Sequence, residues 1–137
     1  MTTHLPAADP ETDPRVRAVF EDIRRSRNTD FINNIWRWLA VDPALLERTW
    51  AEVKAVMGTP SSIDPLTKEM IYIAVSVANG CGYCVHSHTA AARAKGMSGE
   101  QYGELLAIIG LAGKTNQLAT ALQIPVDAAF DAAAPRP

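Results

Sequence analysis

Two cysteines and two histidines fall within eight consecutive positions, Cys81-Gly-Tyr-Cys84-Val-His86-Ser-His88, and the 137-residue chain has no other cysteine. Residues of these types at this spacing fit a redox dithiol, a metal site, or two inert buried thiols. On a helix, Cys81, Cys84 and His88 stand at i, i+3 and i+7 and share one face, while His86 lies off it. Cys81 falls at the predicted helix start and Cys84 within the first turn. Unpaired backbone N–H groups and the positive end of the helix dipole favour an anion there, which lowers a thiol pKa. A C-x-x-C pair also allows a disulfide to close and reopen within one turn.

The preceding helix supplies a partner for the histidine. Helices predicted over 65–79 and 81–95 are separated by a turn at Asn79-Gly80, which makes them an antiparallel hairpin. At ~1.5 Å per residue His88 lies about 12 Å from the turn, level with Tyr72, and Glu69 is one turn further. Glu69 is then placed to orient His88 and accept its proton, while His88 takes a proton from a cysteine. The bland reading of Glu69 is a solvated residue paired with Lys68 or another neighbour. Tyr72 and Tyr83 are close enough in this register to line the same pocket.

Metal binding fits the chemistry of this segment less well than a dithiol does. Structural zinc clamps separated segments, and Cys81, Cys84, His86 and His88 on one helical octapeptide cannot all converge tetrahedrally. Covalent haem attachment requires C-x-x-C-H, and Val85 follows Cys84. No G-x-G-x-x-G or P-loop pattern is present, so no metal, flavin or nicotinamide cofactor is expected.

The elements that must position these residues are helical. Asp13-Pro14, Asp42-Pro43 and Asp64-Pro65 each read as an N-cap followed by Pro at the first helical position. Val16, Val19, Phe20 and Ile23 follow the first, and Leu45, Leu46, Trp50, Val53 and Val56 follow the second. A helix between them carries Phe31, Ile32, Ile35, Trp36 and Leu39. Met70–Ala78 is apolar nearly all round and is expected to be buried on most sides. Ser98 with Gln101 forms a capping box that opens a long last helix, where Gly110 and Gly113 allow a bend. The fold class is therefore all-α, with about six helices. Residues 1–14 and 131–137 read as flexible tails around one helical domain, 15–130. Trp36, Trp38 and Trp50 read as core or interface anchors rather than a cofactor cradle.

Composition narrows the function classes. A hydrophobic share of 47%, a charged share of 20% and a net charge of −2 describe an ordinary globular protein with no basic stripe for nucleic acid. The N-terminal residues lack the apolar core of a secretory signal. The strongly apolar run Met70–Ala78 is far short of the ~20 residues that cross a bilayer, so no membrane partner is expected. A cytoplasmic chain is expected, where a cysteine pair is more often catalytic, redox-active or metal-binding than a staple.

The run Glu69, eleven residues, Cys81-Gly-Tyr-Cys84, three residues, His88 resembles the alkylhydroperoxidase D-like branch of the carboxymuconolactone decarboxylase superfamily. The resemblance covers roughly residues 40–125. It implies an all-helical protomer assembled into trimers or hexamers, and thiol-dependent reduction of a small hydroperoxide. It also implies an external dithiol or disulfide reductase as electron donor. Carried onto this chain, it makes Cys84 the peroxidatic thiol, Cys81 the resolving thiol and relay member, and His88 and Glu69 the proton-transfer pair. Tyr83 stands where the better characterised members carry a histidine, and a phenol is a poor base near neutral pH. Two other classes stay open: a decarboxylase or lactone-processing enzyme like the superfamily's namesake, and a non-catalytic redox sensor.

Overall fold

A computed structural model describes residues 1–134 of the chain, so residues 135–137 of the expected C-terminal tail lie outside the described residues. Among the described residues there are six α-helices and no strand: α1 (Pro14–Arg27), α2 (Asn34–Leu39), α3 (Pro43–Val53), α4 (Pro65–Ala78), α5 (Gly82–Ala94) and α6 (Gly99–Leu122). They fall into two compact units, Met1–Ser61 and the chain from Ser62 onward.

All three Asp-Pro signals are helix starts. The side chains of Asp13, Asp42 and Asp64 accept from the backbone N–H groups of Arg15, of Ala44 and Leu45, and of Thr67. Each aspartate replaces hydrogen bonds that the first turn cannot make internally, and the proline removes a donor that would have had no partner.

In the first unit α1, α2 and α3 enclose Val16, Val19, Phe20, Ile23, Ile32, Trp36, Leu46 and Trp50. Trp36 and Trp50 meet edge to face at 5.4 Å. Trp38 faces elsewhere, donating through Nε1 to Thr2 Oγ1 and the His4 carbonyl. The second helix is shorter than its apolar pattern suggests. Asn28 ends α1 in the left-handed region (φ 50°) and Thr29 Oγ1 accepts from the Phe31 N–H, so 28–33 is a turn that still delivers Ile32 to the core. The end of α3 also differs, because residues Lys54–Gly58 form a π-helical turn.

In the second unit Ile73, Ala92, Met97 and Leu105 form the core, with Leu66, Met70, Ala74, Tyr102 and Ile109 packed around them. Gly80 (φ 69°) and Gly96 (φ 92°) bracket α5 at positions where an L side chain would be strained. α6 runs through Gly110 and Gly113 without a break, for 24 residues. By length and composition alone α6 could cross a membrane, a longer apolar element than Met70–Ala78. Burial of that run on most sides is not observed, since Ile71, Tyr72, Val75 and Val77 are exposed. Within the unit, α5 and α6 cover only one arc of α4, the arc carrying Glu69, Ile73 and Ser76.

Asp22 ties α1 to the end of α3. Its carboxylate accepts from Lys54 Nζ (2.6 Å), Trp50 Nε1 (2.7 Å) and Arg25 Nη2 (2.7 Å), and these hydrogen bonds hold its pKa far below the ordinary carboxylate range. A depressed folded-state pKa stabilises above the unfolded value of about 4, and that stability is lost as pH falls below it. Asp22→Ala is expected to cost about 1.5–3 kcal/mol at pH 7. Urea unfolding followed between neutral pH and pH 2 should show a smaller acid-dependent loss in the variant than in the parent; equal slopes would contradict the assignment.

Candidate functional site

The α4–α5 hairpin carries the four residues singled out by the sequence, and their positions follow from its register. Cys81 is the N-cap of α5, and its Sγ accepts from the Cys84 N–H at 3.2 Å, where an aspartate or serine oxygen commonly sits. Cys81 and Cys84 are joined by a disulfide, with Cα atoms 5.3 Å apart. Both residues are half-buried, so neither is a sequestered thiol. The Cys84 amide and the helix dipole favour negative charge on the Cys81 sulfur once the pair is reduced. Cys84 lies one turn before His88, on the face that points toward α4.

His88 is fixed from two directions. Its ring stacks on Tyr72 with centroids 3.6 Å apart and planes 19° from parallel, which matches the level expected from counting out of the turn. Its Nδ1 lies 2.6 Å from Glu69 Oε2. Glu69 itself is buried, at 5% exposure, which removes the solvated reading of this residue. Burial pushes its pKa up, but hydrogen bonds from His88 and Lys95, with the charges of both, outweigh it and hold the carboxyl below its ordinary value. An ionised carboxylate can only accept, so Nδ1 of His88 carries the proton and Nε2 is left for exchange with a substrate or a thiol.

Lys95 is the residue that sequence reasoning missed. Its Nζ lies 2.8 Å from Glu69 Oε1, so the carboxylate is shared, one oxygen to each partner. The signal was present: 81, 88 and 95 are seven apart, two turns each, and the last turn of α5 must lie opposite the first turns of α4. His86 is exposed and off this face, with Nδ1 donating to the Gly82 carbonyl at 2.8 Å. Tyr83 is exposed beside the disulfide. Among the described residues no group of three or more His, Cys, Asp or Glu is arranged to hold a metal ion.

Together these contacts place a disulfide-bonded C-x-x-C pair one turn from an imidazole oriented by a buried carboxylate. That site lies within residues 43–127, which match the profile of the carboxymuconolactone decarboxylase family, and the chain belongs to that family. Within it, the chain is of the alkylhydroperoxidase D-like branch. It is 64% identical to the alkylhydroperoxidase AhpD core from Rhodospirillum rubrum ATCC 11170, whose crystal structure matches with a TM-score of 0.91 over 95% of this chain and 97% of that one. It is also 37% identical over 102 residues to the alkyl hydroperoxide reductase AhpD of Solibacter usitatus (strain Ellin6076). The match takes in 70% of this chain, which spans about half (54%) of the length of that curated relative.

The Glu69 contact sets the histidine tautomer, and this is measurable. Long-range ¹H–¹⁵N spectra should show His88 with its proton on Nδ1 when neutral, and Glu69→Ala should let the more common Nε2–H form appear. An Nε2–H tautomer in the parent protein would contradict the geometry.

Proposed function

We propose that the chain is a thiol-dependent peroxidase that reduces small hydroperoxides through Cys84 and Cys81, with His88 and Glu69 moving the proton. The observation that carries this reading is the buried Glu69 carboxylate bonded to His88 on the same helix face as the disulfide. The names of the two related proteins support the choice of hydroperoxide as substrate class.

In the cycle, His88 accepts the Cys84 proton through Nε2, and the thiolate attacks one peroxide oxygen. The O–O bond breaks, Cys84 becomes a sulfenic acid, and the leaving alkoxide takes the proton back from His88 to depart as an alcohol, or as water from hydrogen peroxide. Cys81 then attacks the Cys84 sulfur, water leaves and the disulfide closes. An external dithiol or a disulfide reductase reopens it by exchange, taking the disulfide's place as the oxidised partner. Attack on the Cys84 sulfur releases Cys81 as thiolate, and the Cys84 N–H is already aimed at that sulfur. Such a cycle suits the reducing cytoplasm, where the donor is continually regenerated. A homo-oligomer, trimer or hexamer, is part of the reading, supported by the apolar side chains that α4 and α6 leave exposed.

The test is a stopped-flow peroxide titration of the reduced protein with free thiols counted before and after. Two thiols per chain should be lost rapidly. Cys84→Ser should abolish disulfide formation, and Glu69→Gln should slow it by about 10²-fold, the lower end for general acid–base catalysis. Thiols that stay free in excess peroxide would overturn the proposal. Persistent turnover of a lactone or a carboxylated substrate by a variant lacking both cysteines would replace it with the namesake chemistry. An oxidation-dependent change of assembly without turnover would replace it with a sensor.

A further inference from the structure

We propose that Lys95 is a positioning residue of this site, which holds the Glu69 carboxylate ionised and in the rotamer that accepts the hydrogen bond from His88 Nδ1–H. The proposal rests on the reading that Glu69 and His88 serve the dithiol, and it adds the group that makes Glu69 able to do so.

A lysine–carboxylate pair on a surface contributes little, because both ions are well solvated when apart. Here only one partner is solvated: the Lys95 side chain is 37% exposed, whereas that of Glu69 is 6% exposed. The buried carboxylate has two oxygens to satisfy, and each has one close partner, His88 on Oε2 and Lys95 on Oε1. Burial is the largest single influence on Glu69 and exceeds the effect of either hydrogen bond alone. The two partners together outweigh burial and hold the carboxyl below its ordinary value. Without Lys95 the carboxylate must take up a proton more readily or turn Oε1 toward solvent, and either change weakens the 2.6 Å contact to His88.

Placement supports a built contact. Lys95 is the C-cap of α5, where its charge also complements the negative end of the dipole. The strained-for-others Gly96 (φ 92°) turns the chain immediately after it, and the Met97 N–H closes on the Ala92 carbonyl, so the lysine leaves the helix at a fixed point. The groups acting on the Glu69 carboxylate are thus both from α5. On α6, which also packs against α4, Glu100 and Glu104 are exposed, and the Tyr102 ring faces the Arg93 guanidinium at 5.7 Å. On α4 itself the titratable neighbours are Tyr72, stacked on His88, and Lys68.

The test uses the reduced full-length protein and iodoacetamide, so it does not depend on peroxide being the substrate. Alkylation of the cysteine pair is followed from pH 5 to 9 in the parent, Lys95→Met, Lys95→Arg, Glu69→Gln and the Lys95→Met/Glu69→Gln double variant, with melting curves as a folding control. Lys95→Met should move the reactivity profile about 0.5–1 pH unit to higher pH, and Lys95→Arg should restore it. In the Glu69→Gln background Lys95→Met should add nothing, since its effect passes through the carboxylate. Additive effects, an unmoved profile, or a shift to lower pH would each overturn the proposal. If the profiles behave as expected and peroxide still fails to oxidise the parent, the peroxidase reading fails while the role of Lys95 stands.

Discussion

A carboxylate on an apolar helix is stable only where its lost hydration is replaced, and at Glu69 the replacement comes from two side chains of α5. This one requirement fixes much else in the second unit. His88 and Lys95 are two turns apart, so they can bracket one carboxylate only if α4 and α5 run antiparallel with Glu69 level with the gap between them. The turn at residues 79–81, with Gly80 in the left-handed region, supplies that register. Ile73 and Ala92, both without measurable exposure, lock it by packing.

The same helix separates its chemistry along its axis. Its N-terminus carries the sulfurs, where amide groups and the dipole favour a thiolate; its C-terminus carries Lys95, where the dipole favours a cation. His88 lies between them and receives both influences, through Cys84 one turn before it and through Glu69 across the hairpin. Tyr72 keeps the imidazole plane in place by stacking. The Glu69 charge is met across the hairpin by Lys95 on one oxygen and His88 on the other.

The first unit uses a half-buried anion differently. Asp22 gathers Lys54, Trp50 and Arg25 around one carboxylate, joining α1 to the π-helical turn after α3, with no thiol or histidine among its partners. Its role is adhesive. Glu69 has a similar number of hydrogen-bonding options but one of its donors is an imidazole, and an imidazole can give its proton up near neutral pH. What sets the two carboxylates apart is the identity of one partner.

Local signals were legible in the sequence. Each Asp-Pro pair starts a helix because a short carboxylate and a residue without an N–H both suit a first turn, whatever the rest of the chain does. The alignment of Cys81, Cys84 and His88 follows from helical periodicity, and the pairing of Glu69 with His88 follows from a short turn between two helices. Tertiary structure decided what periodicity cannot rank. Lys95 occupies the same face by spacing, yet nothing in one dimension says that its flexible stem bends inward to a buried oxygen rather than outward to water. Met70–Ala78 is apolar nearly all round, but how many of those sides are covered depends on how many helices reach it, and α5 and α6 cover one arc. Phe31 and Ile32 extend the apolar pattern of Ile35, Trp36 and Leu39, yet the left-handed Asn28 ends α1 and only the packing of Ile32 shows that this turn still feeds the core. Spacing along a chain states which groups could meet; the free energy of removing a particular charge from water decides which of them do.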